Sequence, residues 1–170
     1  MHSTFLAEAF DRMRYRSGFF ASSLKWRILG LRMGRSVGIY SRVIIHDAAR
    51  VSIGDNTTIL SFTLLFGTGG ITIGRDVLIS SHCSIFSISH RVDALGQGLL
   101  FRDTRFTAPV EIGDNVWIGT GARILPGVSI GANTIVGAGS VVTRSIPRGV
   151  VAAGVPAKVI RTLEGAPPQG

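Results

Sequence analysis

Histidine is the one side chain whose ordinary pKa lies close to neutral, and this 170-residue chain holds four: His2, His46, His82 and His90. A positioned imidazole is the natural general base near neutral pH. His90 has the most informative surroundings. It lies in Ser87-Ile-Ser-His-Arg-Val-Asp93, where a regular sequence pattern stops, and it is the last residue of its repeat, turned from the packed interior. Asp93, three residues on, can orient the imidazole, touch a ligand, or stand as a solvated loop carboxylate. His82, eight residues before His90, also points outward and either lines a cleft or sits on the surface. His2 lies at the very start of the chain. Zinc would need three converging ligands; the eight-residue gap between His82 and His90, with His46 far earlier, does not fit that need, and no metal is expected. Cys83 occupies a small inward position and reads as core filler rather than as a nucleophile. A single cysteine excludes a disulfide framework and points to a reducing compartment.

The pattern that stops at His90 is a beat of six. Ile112, Ile118, Ile124, Ile130, Val136 and Val142 recur six apart, and four residues after each comes a further residue: Val116, Ala122, Val128, Thr134, Ser140, then Ile146. Six fits neither a helix nor a flat strand. It predicts a parallel β-helix of hexapeptides, with three short strands closing an 18-residue coil. Gly113, Gly119, Gly131 and Gly137 follow lead positions, beside corners where positive φ is easy. Earlier, Ile53, Ile59, Leu65 and Ile71 keep the beat with Thr57, Thr63 and Gly69 as small partners. The phase then slips by two to Ile73, Ile79 and Ile85, and Ile39, Ile45 and Val51 read as a worn first coil. Residues 91–107 interrupt the repeat as an extruded loop, and long loops in compact domains usually carry function.

Length predicts one domain, stabilised by coil stacking. The expected division is a basic aromatic helical segment at 1–36, the β-helix at 37–163 and a loose tail at 164–170. The net charge is +8. More than half of it comes from the first segment, where Arg12, Arg14, Arg16, Lys25, Arg27, Arg32 and Arg35 face only Glu8 and Asp11. Phe5, Phe10, Phe19, Phe20 and Trp26 accompany them. One or two short amphipathic helices there would cap the first coil, pack on a neighbouring subunit, or rest on an anionic membrane surface. The segment lacks the clean apolar core of a signal peptide, and no apolar run is long enough to span a bilayer. No nucleic-acid motif accompanies the basic charge, so no nucleic-acid partner is expected.

Ala108-Pro-Val-Glu-Ile-Gly-Asp-Asn-Val-Trp-Ile-Gly119, Ile124-Leu-Pro-Gly-Val-Ser-Ile-Gly131, Val136-Gly-Ala-Gly-Ser-Val-Val-Thr143 and Ala152-Ala-Gly-Val-Pro-Ala-Lys-Val-Ile-Arg161 occur in order. Over roughly residues 50–163 the chain resembles the hexapeptide-repeat acyltransferases. Within them it is similar to the maltose and galactoside O-acetyltransferases and to the capsule and exopolysaccharide O-acetyltransferases. The resemblance implies a left-handed parallel β-helix, a homotrimer with active sites between subunits, and acetyl-CoA as co-substrate without a metal. It implies His90 as the base that lets a hydroxyl attack the thioester directly, with a backbone N–H near Gly119–Thr120 for the oxyanion. Trp117 would flank the thioester, or else cover the coil below. Gly119, Thr120, Gly137, Ala138 and Gly139 would leave a groove for the pantetheine arm. Thr143 and Arg144 replace the family's usual Thr-Lys, and Arg144, Lys158 and Arg161 would meet phosphates. Residues 158–163 read as a short terminal strand or turn.

The acceptor is less legible. Phe62 stands where the small-sugar enzymes carry an Asn that holds the acceptor, and the longer helical substrate cap of those enzymes is missing. Both departures disfavour free maltose or galactoside. Phe62 suits stacking on an apolar sugar face, and the basic aromatic segment suits a lipid-linked or nucleotide-linked glycan. The expectation is O-acetylation of a cell-surface polysaccharide precursor by a cytoplasmic enzyme, with peripheral contact at the inner membrane face as an option. N-acetylation of a nucleotide-linked amino sugar is the alternative; a γ-type carbonic anhydrase or a non-catalytic scaffold are remote ones.

Overall fold

The computed structural model describes residues 24–163, without the side chains of residues 94 and 95. Much of the basic aromatic segment, residues 1–23, and the tail from 164 onward lie outside the described residues. Short strands stack into three parallel sheets, the sides of a prism. The first sheet holds β1 (Arg32–Met33), β4 (Val51–Ile53), β7 (Ile71–Ile73), β12 (Val110–Ile112) and β15 (Ser129–Ile130). The second holds β2 (Gly38–Ile39), β5 (Thr58–Ile59), β8 (Leu78–Ile79), β13 (Trp117–Ile118), β16 (Ile135–Val136), β18 (Val150–Gly154) and β19 (Ala157–Thr162). The third holds β3 (Ile44–His46), β6 (Leu64–Phe66), β9 (Ser84–Phe86), β14 (Arg123–Ile124) and β17 (Val141–Val142). All pairs in these sheets are parallel except β18–β19, where the chain folds back on itself and ends the second sheet.

The aliphatic residue of each repeat points inward, and Ile59, Leu65, Ile79, Ile85, Ile118 and Ile124 are all fully buried. At inward corner positions Thr57 donates to the Gly74 carbonyl, Thr63 to Ser80 and Thr134 to Pro147, so buried hydroxyls tie each coil to the next. Among the described residues no buried side-chain polar atom lacks a partner. At the N-terminal end residues 24–28 are helical, and Trp26 and Leu31 join the core.

Coil length is not uniform. In the first sheet Ser52 pairs with Thr72, Thr72 with Glu111 and Glu111 with Ser129, steps of 20, 39 and 18 residues. The expected 18-residue coil therefore holds only after the loop. The early coils carry two extra residues where the third sheet turns into the first, so Ile71 and Ile73 both point inward from one strand and the apparent slip is one fixed corner. The loop enters at that same corner. It has a two-stranded antiparallel stem, β10 (Ile88–His90) against β11 (Arg105–Thr107), with 3-10 turns at Asp93–Gln97 and Phe101–Asp103 between them.

The glycines of the repeat have a different cause from the expected one. Positive φ falls instead at Asn56, Asp76, Asn115 and Asn133 on the first corner and at Phe62, His82, Gly121 and Gly139 on the second. Gly119 is needed because a Cβ there would lie 2.6 Å from the Ala138 amide of the next coil.

Candidate active site

His90 ends β10, half-buried, where the hairpin stem leaves the prism. Its Nδ1 lies 2.8 Å from the Phe101 carbonyl oxygen, and the Phe101 ring sits beside the imidazole at 4.8 Å between centroids. A carbonyl can only accept, so Nδ1 carries the proton and donates it, which leaves the Nε2 lone pair available. Thr104, buried, donates its hydroxyl to the same carbonyl at 2.8 Å and stands 3.4 Å from Nδ1. The loop thus returns to hold its own histidine. Asp93 begins the first 3-10 turn, exposed, and the Nδ1 atom is held by Phe101 rather than by its carboxylate.

The second corner forms a second cluster. Arg42, Phe62 and His82 occupy its left-handed position in successive coils. The Phe62 and His82 rings are parallel within 1° and 4.9 Å apart, and the Arg42 guanidinium lies 5.1 Å from the Phe62 ring centre on this ladder. The next two rungs are Gly121 and Gly139, which hydrogen-bond down to Ser81 and Thr120. A Cβ built on Gly139 meets nothing within 4 Å, and one on Gly121 meets only Gly139 backbone at 4.0 Å. Beside these bare rungs, the Thr120 and Ala138 amides donate to no backbone carbonyl among the described residues.

Of the residues expected along the groove, Gly139 borders open space, whereas Gly119 and Gly137 lie close against the next coil. A Cβ on Gly137 would strike that of Ala153 at 2.6 Å. These two glycines serve coil packing; the open space is at Gly121, which the sequence reading passed over, and at Gly139. Trp117 is half-exposed on the outer face of the second sheet, and its indole N–H donates to Ser80 at 3.1 Å. Arg161 opposes Val151 on β19, three strands from Trp117 in the same sheet, about 14 Å away. Lys158, exposed, opposes Ala153 on the same strand. Thr143 and Arg144 follow β17 at the far end of the third sheet, both exposed, away from Lys158 and Arg161 along the coil.

His90 and Thr120 stand at different corners. His82 lies at the corner before β9 and Phe86 ends that strand four residues on, up to about 13 Å of chain, and the hairpin leaves beyond Phe86. One chain does not bring the imidazole to the free amides. Cys83 is fully buried and donates to the Gly119 carbonyl, and burial pushes its thiol pKa up, which suits a packing role. His46 stacks on Phe66, His82 on Phe62 and His90 beside Phe101. Among the described residues no three His, Cys, Asp or Glu side chains gather into a metal-holding group, and no helix is long and apolar enough to cross a membrane.

Phe101, Thr104 and Gly121 were missed by sequence reasoning. The one available signal for the first two was the loop itself, whose residues had to return somewhere.

Residues 109–144 match the family described as bacterial transferase hexapeptide (six repeats). The protein WcaF of Escherichia coli (strain K12), named as an acetyltransferase of colanic acid biosynthesis, is 36% identical over 135 residues, 79% of this chain and 71% of that protein. Galactoside O-acetyltransferase of the same strain is 45% identical over 93 residues, 55% of this chain and 44% of the enzyme. The chain spans about half the length of the first curated relatives it matches. A hexapeptide-repeat acetyltransferase of Vibrio cholerae O1 biovar eltor, solved in complex with acetyl coenzyme A, superposes with a TM-score of 0.74 at 31% identity, over 82% of this chain and 74% of that one. With the stacked hexapeptide coils, the extruded hairpin and these likenesses together, the chain belongs to the hexapeptide-repeat acetyltransferases.

Proposed function

We propose that this protein is an acetyl-CoA-dependent O-acetyltransferase acting on a sugar hydroxyl of a cell-surface polysaccharide precursor. The observation that carries the reading is the 2.8 Å contact from His90 Nδ1 to the Phe101 carbonyl. With Nδ1 donating to that carbonyl, Nε2 is the nitrogen left to act as the base. The acceptor hydroxyl gives its proton to Nε2 as its oxygen bonds to the thioester carbon. The Thr120 amide, free of carbonyl partners, donates to the developing oxyanion. As the carbon–sulfur bond breaks, the proton on Nε2 passes to the sulfur, so an ester and a free thiol result. The co-substrate supplies the activated acyl carbon; the residues that fit it are the bare rungs at Gly121 and Gly139, the Ala138 amide, and the exposed cations Arg144, Lys158 and Arg161.

Because His90 and Thr120 lie at different corners, the working site takes His90 from one copy and the second corner from another. A closed homotrimer meets that need with three equal sites. The polysaccharide precursor is favoured by the likeness to WcaF. The site would face the cytoplasm, where acetyl-CoA is made, with residues 1–36 docking on the trimer or the inner membrane face.

The test is thiol release from acetyl-CoA against free sugars, nucleotide-linked amino sugars and polysaccharide fragments, beside His90→Ala. Turnover on a glycan hydroxyl that drops about 10²- to 10⁴-fold in the variant is expected. Turnover unchanged by the substitution would remove His90 from its role, and transfer only to an amine would replace oxygen by nitrogen acetylation.

A further inference from the structure

The ladder at the second corner ends on His82. Phe62 has His82 over one face, and the Arg42 guanidinium sits 5.1 Å from its ring centre in the coil on the other side. Phe62 therefore has no free face with which to stack on a ligand, although its position and exposure suggest that role. The open ring face is that of His82, which looks along the prism axis at the rung vacated by Gly121. Gly121 is placed there by its amide, which donates to the Ser81 carbonyl directly below. The bare rungs thus run from Gly139 past the Thr120 amide and stop on a flat imidazole.

We infer that His82 is the specificity-determining residue for the acyl group of the donor, the floor that limits it to acetyl. The inference rests on the reading of Thr120 as the amide that meets the thioester. Adjacent coils are about 4.8 Å apart, which admits one layer of methyl thickness between the thioester level and the ring. A longer chain would run into the imidazole face, and the face cannot retreat because Phe62 lies parallel beneath it. Removal of the ring exposes Phe62 one coil lower, 4.9 Å away. At about 1.2 Å per bond, that space takes roughly four more carbons.

His82 sits at φ 62°, a conformation glycine adopts freely, so His82→Gly removes the ring without backbone strain. Phe62 adopts φ 63° in the same row, so His82→Phe keeps a flat floor without an imidazole. The experiment is binding of acetyl-CoA and hexanoyl-CoA by calorimetry to the full chain and to both variants. The parent and His82→Phe should favour acetyl-CoA. His82→Gly should bind hexanoyl-CoA at least tenfold more tightly than the parent does, within what about four buried methylenes can supply. A His82→Gly protein that binds acetyl-CoA and keeps the parental length preference overturns the proposal. So does a His82→Phe protein that accepts the long chain, since the limit would then not be the ring. A parent that binds acetyl-CoA by neither calorimetry nor turnover overturns the donor reading itself, and this proposal with it.

Discussion

The coils before and after the hairpin share the same three sheets but treat their second corner differently. Before it, the left-handed position is filled by Arg42, Phe62 and His82; after it, the same position is glycine at 121 and 139. The backbone is nearly the same in both, with φ from 60° to 63° below and 73° and 68° above. Left-handed geometry alone therefore does not demand glycine at this corner, because three bulky side chains adopt it. What glycine adds above the hairpin is space. The lower coils use the corner to stack on themselves, and the upper coils keep it clear for something else.

This contrast can be broken by moving side chains across it. The largest effect after loss of His90 should come from Gly119→Ala. Its Cβ would meet backbone of the next coil at 2.6 Å, and a cost of about 1–3 kcal/mol is expected in urea unfolding. Gly139→Asn places a residue tolerant of left-handed φ where a Cβ meets nothing; it should cost less than about 1 kcal/mol yet weaken acetyl-CoA binding by more than Gly119→Ala does per unit of lost stability. Equal damage to stability from both would dissolve the distinction between packing glycines and space-making ones.

A finer test lies in the hairpin. Thr104→Val removes the hydroxyl that shares the Phe101 carbonyl with His90. Turnover number should fall about fivefold, the worth of one hydrogen bond, with KM for acetyl-CoA held and Thr104→Ser restoring the parent. A change in KM alone would make Thr104 a loop-packing residue and not a positioning one.

The smallest effect concerns the first corner, where Arg35, Asp55, Arg75 and Asp114 alternate in sign up successive coils. The Arg35 amide beside Asp55 and the Arg75 amide beside Asp114, with the guanidinium groups, hold both carboxyls below the usual range. A lowered folded pKa adds stability above the unfolded value of about 3.9 and gives it up as pH falls through the folded one. Urea midpoints should stay level from pH 7 to about 5 and decline below about 4. Asp55→Asn should flatten part of that decline, and an unchanged profile would mean the ladder is only decorative.

Much of this was legible in advance. The six-residue period of Ile112 to Val142 specified the solenoid, its inward residues and the burial of Cys83, because each strand's fate is decided within one hexad. The interruption after His90 located the extruded loop, though not its antiparallel stem. What escaped depends on contacts between coils. That Gly119 is required by Ala138, or that Phe62 is covered by His82, involves residues 18–20 apart in the register, and a local pattern carries no trace of which rung lies over which. The Phe101 carbonyl is a backbone atom, with no residue type to betray it. Gly119 and Gly137 were read as corner and groove glycines, and crowding by the next coil is what requires them; Gly139, read as leaving space, does border open space.

The corner that receives the extra two residues in the early coils is also the corner that receives the whole hairpin. Growth in chain length there leaves the pairing of every strand above and below untouched, since the step changes from 20 to 39 to 18 without a break in the three sheets. Closing a longer loop costs only about 0.6 kcal/mol per doubling. That seam is a port: a different segment spliced between Arg91 and Leu100 would ride on the same prism and leave His90, Phe101 and Thr104 where they are.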